Sequence, residues 1–146
     1  MVEINDRRLP VGIQSFEEIR KDGYLYVDKT DIIWQLANGG KKYNYLSRPR
    51  RFGKSVLVDT LEAYFLGKKE LFEGLKIMQL ETEWVKRPVI RLDMSRAGAK
   101  PGTLRSYLNN IFKQYEEEYS LVPDPTDSLA DRFNAIIVGA YEQTGQ

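Results

Sequence analysis

The sequence predicts an α/β fold: a partial parallel sheet flanked by helices. Three observations predict it. Short β-prone runs alternate with segments of helical periodicity, the pattern that builds layered α/β domains. The run "KYNYL" (42–46) leads through "RPRRFGKS" (48–55) into a helical segment, a strand, loop, helix order. The chain of 146 residues is 42% apolar and 29% charged, an ordinary globular balance. A chain of that length buries roughly 68–70% of its unfolded surface, enough for a core.

The elements follow in order. "SFEEIRKDG" opens with Ser15 and Glu18 at capping-box spacing and stops at Gly23, which predicts a short helix. "YLYV" (24–27) is a β-prone run. Thr30 is placed to cap "DIIWQLA", whose Ile32, Ile33 and Leu36 share a face before Gly39 and Gly40 end it. "KYNYL" is a weaker strand candidate on pattern. From Ser55 to Phe65, residues Leu57, Leu61, Tyr64 and Phe65 fall on one helical face, broken at Gly67. "VIRLDM", from Val89 to Met94, predicts a second strand. From Thr103, Leu104, Tyr107, Leu108, Ile111, Phe112, Tyr115 and Tyr119 recur at three- and four-residue steps, the strongest helix signal in the chain. "VPDPTD" breaks it. Ser128 and Asp131 form another capping box ahead of an amphipathic helix carrying Leu129, Phe133, Ile136, Ile137, Ala140 and Tyr141. No repeat or linker divides the chain, so the reading is one α/β unit.

Composition narrows the chemistry. The sequence holds neither cysteine nor histidine. That removes thiol nucleophiles, imidazole bases, disulfides and Cys/His zinc sites. Carboxylates, lysine, arginine, hydroxyls and a bound metal remain. The net charge of +1 gives no global attraction to nucleic acid or to membrane surfaces, so such a role must rest on a local patch. The first ten residues lack an apolar segment of signal-peptide length, and no run approaches the roughly 18 apolar residues of a membrane span. The expectation is a cytoplasmic protein of bacterial type, without a membrane partner.

The loop at 48–55 carries the functional reading. A phosphate-binding loop joins a strand's end to a helix N-terminus, where free N–H groups and the positive dipole end face an anion. In this P-loop NTPase-like arrangement Gly53 lets the backbone approach the phosphates, Lys54 reaches the β and γ phosphates as the catalytic cation, and Ser55 offers its hydroxyl to Mg²⁺. Each hydrogen bond to a charged phosphate is worth about 1.5–3 kcal/mol, so a few suffice for micromolar binding. Two features depart from the usual loop. Arg48 stands where the first glycine belongs, and Pro49 removes an N–H donor. In exchange, Arg48, Arg50 and Arg51 offer guanidinium groups that can bind phosphate oxygens in pairs. The candidate nucleotide-binding set is therefore Arg48, Pro49, Arg50, Arg51, Phe52, Gly53, Lys54, Ser55 and Val56, with ATP and Mg²⁺ as cofactors. Two other readings stay open. "RPRR" can be a solvated basic turn before a fortuitous helix start, or a patch in which cations and Phe52 grip a nucleic-acid backbone, making the chain a non-catalytic interaction module.

"LPVGIQSFEEIRKDGYLYVDKTDIIWQL", "YLSRPRRFGKSVLVDTLEAYFLGKKELFEGLKI" and "RPVIRLDMS" together resemble the N-terminal part of the AAA-ATPase-like family of prokaryotic proteins. The most specific pieces are "YVDKT" (26–30), "RPRRFGKS" and "LEAYF" (61–65). In that family an arginine-rich loop replaces the glycine-led one, so the resemblance implies the departures at Arg48 and Pro49. It implies an ATPase, and it makes residues 1–146 the N-terminal part of an AAA-ATPase-like P-loop domain, cut before the acidic Walker B strand. The resemblance further implies longer relatives, many ending in a restriction-endonuclease-like nuclease domain that would bring a nucleic-acid partner. A fragment of this kind would bind nucleotide better than it hydrolyses it. Its sheet would be incomplete, with exposed strand edges that favour self-association.

Three further places have a functional and a plain reading. Asp93 ends a β-prone run and can be a catalytic acid or a strand-end turn residue, the turn being favoured. Asp28 and Lys29 match the family motif and can approach the nucleotide, or form a salt-bridged turn before a capped helix. "YEEEY" (115–119) has the composition of a metal cluster but reads better as the solvated side of its helix, and the tyrosine stripe beside it as core.

Overall fold

Residues 87–98 and 100–145 on one side, and 8–49 and 53–86 on the other, fall into two units divided between Lys86 and Arg87. The structure is a computed structural model, and it describes residues 8–49, 53–98 and 100–145.

In the first unit helix α1 spans Phe16–Lys21, α2 Thr30–Asn38 and α3 Lys54–Phe65, followed by 3-10 turns at Lys69–Phe72 and Lys76–Gln79. Each helix begins where local chemistry offers an end. The Ser15 hydroxyl accepts the Glu18 N–H at 3.3 Å, and Gly23 leaves α1 at a φ of 70°. Thr30 is the first residue of α2 rather than its cap. Asp28 takes the capping role instead, accepting the Thr30 N–H at 2.9 Å and its hydroxyl at 2.7 Å. On α2 Ile33 is fully buried and Ile32 exposed, so the inward face runs through Ile33, Trp34 and Ala37. The core gathers Phe16 of α1, Ile33 of α2, Tyr64 of α3, and Phe72 and Ile77 of the 3-10 turns. The Phe16 and Phe72 rings lie 4.9 Å apart, and Trp84 closes the cluster 5.1 Å from Phe72. Polar clamps fasten its edge. Arg20 donates to the carbonyls of Leu71 at 2.7 Å and Glu73 at 2.6 Å, satisfying groups the 3-10 turns leave open.

In the second unit a 3-10 turn at Met94–Ala97 precedes α4, Thr103–Glu118, and α5, Leu129–Thr144. The Ser128 and Asp131 capping box forms in full at the start of α5. Phe112, Tyr119, Ile136 and Ala140 make the core, with Phe112 and Phe133 stacked at 5.5 Å. Within "YEEEY" Glu117 and Glu118 are exposed, but Glu116 is 5% exposed and grips Arg132 of α5 through two bonds of 2.7 and 2.8 Å. The solvated reading fails at that position because Glu116 lies on the face that α4 turns toward α5.

The α/β expectation is overturned. Among the described residues there is no β-strand, so no P-loop NTPase-like parallel sheet is present and the regular structure is helical. The three β-prone runs, 24–27, 42–46 and 89–94, form no ladder. A strand exists only through a partner, because its N–H and C=O groups point sideways out of the segment. Here they find other partners. The Leu25 N–H donates to the Arg8 carbonyl at 2.9 Å. The Arg91 and Asp93 N–H groups donate, each at 2.8 Å, to the hydroxyls of Tyr115 and Tyr107 on α4. Two tyrosines of the expected core stripe thus serve the backbone of the segment beside them.

Candidate functional site

Helix α3 starts on Gly53, whose φ of 75° lies in the left-handed region. Any residue with a Cβ would be strained there. Among the described residues no side chain caps this end, and the first turn of α3 holds no acidic residue. The first N–H groups of the helix and the positive end of its dipole are therefore offered outward. Lys54 and Ser55 are exposed at this end and Val56 is half-buried. The Lys54 ammonium donates to the Arg48 carbonyl at 2.8 Å, so it reaches back across the loop mouth. Arg48 and Pro49 are exposed. Arg50, Arg51 and Phe52 lie outside the described residues.

Gly53, Lys54, Ser55 and Val56 form one side of a cleft of about 560 Å³, and Val11, Gly12, Ile13 and Gln14 form the other among the described residues. Cavities of roughly 300–1,000 Å³ hold small-molecule ligands and cofactors. The two sides keep their spacing through α3. The Phe16 N–H, two residues beyond Gln14, donates to the Asp59 carboxylate on α3 at 2.6 Å, and the Phe16 ring is fully buried. Deeper in α3 the buried Thr60 hydroxyl donates to the Val56 carbonyl at 2.7 Å. Val11 to Gln14 escaped the sequence reading because some forty positions separate them from the loop.

The remaining candidates sit elsewhere in their local structure. Asp28 joins two elements, accepting the Lys76 N–H at 2.8 Å while holding Thr30, whose hydroxyl in turn accepts the Ile77 N–H at 3.1 Å. Burial works against ionising Asp28, but the Thr30 and Lys76 hydrogen bonds outweigh it and keep the carboxyl below its usual range. Its lone pairs are committed to holding α2 against the 3-10 turn. Lys29 is exposed beside it. Asp93 caps the 3-10 turn that follows it, accepting the Ser95 hydroxyl at 2.5 Å and pairing with Arg96 at 3.3 Å. The Ser95 hydrogen bond holds its pKa below the ordinary value. That is the geometry of a turn residue. Among the described residues no group of three or more Asp or Glu is arranged to hold a metal ion, and no helix is long and apolar enough to cross a membrane.

Comparison with known proteins places these features in a family. A family model described as "Predicted AAA-ATPase" matches residues 10–146. A protein of Azotobacter chroococcum mcd 1, named "Uncharacterized protein in vnfD 5'region", is 49% identical over 88 residues, which make up 59% of this chain and 17% of that protein. The aligned part is therefore under a fifth of that relative's length. No solved structure matches the chain. The family match takes in the cleft's 11–14 side, the "YVDKT" latch, the loop and both helices of the second unit: the chain belongs to the AAA-ATPase-like family.

Proposed function

We propose that the chain binds ATP with Mg²⁺ in the cleft at the start of α3. The observation that carries this is the α3 N-terminus, uncapped among the described residues, on a left-handed Gly53, opening with exposed Lys54 and Ser55 onto a cleft of nucleotide size. Membership of a family described as predicted ATPases supports it. In this reading the phosphates lie over Gly53, Lys54 and Ser55, receiving the free N–H groups of the first turn. Lys54 exchanges the Arg48 carbonyl for a β or γ phosphate oxygen, a stronger partner because it is charged. Arg48, Arg50 and Arg51 add positive charge around the loop, with Pro49, Phe52 and Val56 completing it.

Mg²⁺ fits the donor set. It keeps several waters and is held by phosphate oxygens with one or two protein oxygens, so it needs the exposed Ser55 hydroxyl and no carboxylate cage. When bound it would neutralise charge developing on the phosphates. None of the described cleft residues is a carboxylate that can orient a water. The chain should therefore bind nucleotide better than it hydrolyses it, and hydrolysis by the longer relatives would need an acid from elsewhere.

The test is titration with a fluorescent ATP analogue, with and without Mg²⁺, for the wild type and Lys54→Ala. Saturable, Mg²⁺-strengthened binding that weakens at least about tenfold in Lys54→Ala is expected, matching the loss of one charged contact. Equal binding by both proteins would defeat the reading. A second reading has its own observation: Tyr43 and Tyr45 are 90% and 93% exposed in a segment that also exposes Lys41, Lys42 and Arg48. Aromatic faces among cations can hold single-stranded nucleic acid. That binding would fall steeply with salt and ignore Mg²⁺-ATP, whereas the phosphate loop would require Lys54 and Ser55 individually.

A further inference from the structure

We infer that the extended segment from Pro88 to Asp93 pairs with the same segment of a second copy of this chain, antiparallel about a two-fold axis at Ile90. The two sides of its backbone are in different states. Toward α4, the Arg91 N–H donates to the Tyr115 hydroxyl at 2.8 Å, that hydroxyl donates in turn to the Arg91 carbonyl at 3.4 Å, and the Asp93 N–H donates to Tyr107 at 2.8 Å. In extended backbone the N–H and C=O of one residue point to one side and those of its neighbours to the other. The groups of Ile90 and Leu92 therefore point away from the tyrosines, and among the described residues they form no hydrogen bond. Backbone groups of a half-buried segment call for partners, and a row of open ones is a template for another strand.

Hydrogen bonding, charge and apolar surface each select a second copy as the occupant. Pairing about Ile90 sets Ile90 against its own equivalent, Leu92 against Pro88, Val89 against Arg91 and Arg87 against Asp93. Ile90 then exchanges two hydrogen bonds with its equivalent, and each Leu92 N–H reaches a Pro88 carbonyl. Pro88, with no N–H to offer, falls at the end of the ladder, where proline is tolerated. Centring on Arg91 instead would set that arginine against its own equivalent and would need the N–H groups the tyrosines hold. The register also brings Arg87 opposite Asp93 of the second copy, twice by symmetry, and opposite charges at facing positions attract. The Asp93 side chain is 47% exposed beside Arg96, open to that approach. Finally, Pro88 and Ile90 line an apolar groove of about 510 Å³ with Ile137, Val138, Ala140 and Tyr141 of α5, where Ile137, Val138 and Tyr141 are exposed. Contiguous exposed apolar surface marks interaction sites. With Ile90 on the axis, the grooves of the two copies meet there and pairing covers both.

Sedimentation equilibrium and disulfide trapping on the whole chain test this. The wild type should show a concentration-dependent equilibrium between monomer and dimer. Arg87→Glu, which sets like charges against each other at both ends of the ladder, should raise the dimer Kd about tenfold. The sequence has no cysteine, so the double variant Val89→Cys with Arg91→Cys carries only the introduced thiols. Those positions face each other between copies as a non-hydrogen-bonded pair, with Cα atoms about 4.5 Å apart and within reach of a disulfide. Under mild oxidation the double variant should link position 89 of one copy to position 91 of the other, as peptide mapping would show. Each single variant should stay unlinked, because its two thiols lie diagonally, about 7–8 Å apart. If Arg87→Glu disturbs folding, the trapping decides alone. A chain that stays monomeric at every concentration, a folded Arg87→Glu that dimerises as the wild type does, or a double variant that forms no link between 89 and 91 overturns the inference.

Discussion

Single residues set limits that can be measured one at a time. Gly53 and Gly67 both have a left-handed backbone, with φ values of 75° and 69°. They differ in surroundings. A Cβ on Gly53 would meet nothing within 4 Å, whereas on Gly67 it would lie 3.2 Å from the Trp84 carbonyl and 3.4 Å from the Lys86 backbone. Gly53→Ala should therefore cost only the left-handed strain, about 1 kcal/mol, and Gly67→Ala more than that because backbone must also move. Chemical denaturation of the two variants gives the ranking, and equal midpoints would refute it. Glycines at 53 and 67 were legible from the sequence as a loop end and a helix stop. What was hidden was the approach of 84–86 to Gly67, since no local pattern records which distant backbone comes close. Asp28 teaches the same lesson. Its "DKT" setting announced a helix start, but its second carboxylate oxygen serves Lys76, far along the chain.

At the scale of elements, the contact between α4 and α5 turns on one buried pair. Arg132 donates to both carboxylate oxygens of Glu116 and to Asn109 at 2.7 Å, and its guanidinium lies 5.9 Å from the Phe112 ring centroid. All of this sits beside the stacked Phe112 and Phe133 rings. Glu116→Ala would leave the part-buried Arg132 charge with Asn109 but without its carboxylate, a loss of about 1–3 kcal/mol. The double variant Glu116→Leu with Arg132→Met should recover much of that loss, because no charge is then stranded. Thermal unfolding of the single and double variants checks both statements, and a double variant no more stable than the single would contradict the account. The helices themselves were readable: Ser15, Ser128 and Asp131 mark starts, and the stripe from Thr103 marks α4. The pairing was not readable, because "YEEEY" gives three consecutive glutamates and only the face presented to α5 selects Glu116.

Across the whole molecule, charge couples stability to acid. Glu17 accepts hydrogen bonds from Lys21 and Lys68, which hold its pKa at about 2 against an ordinary 4.5. Asp28, Asp93, Asp124 and Asp131 are also shifted downward, the last three chiefly by hydrogen bonds from Ser95, Thr126 and Ser128. A carboxyl with a depressed folded-state pKa stabilises above its unfolded pKa, and that contribution is lost as pH falls toward the folded value. The unfolding midpoint should thus decline between about pH 4.5 and pH 2. With no histidine in the sequence, side chains should give almost no slope between pH 6 and 8. Calorimetric scans across both windows test this, and Glu17→Gln should shallow the acid decline. The sequence by itself determined the helices, the Ser15 and Ser128 caps and the lack of thiol and imidazole groups, because all of these depend on residue identity or on neighbours within a few positions. Only the tertiary structure decided that the β-prone runs form no sheet, that Glu116 is buried, and that Val11 to Gln14 face Gly53 to Val56. Those outcomes depend on which distant partner satisfies a backbone group, a charge or an open face, and spacing along a chain does not carry that information.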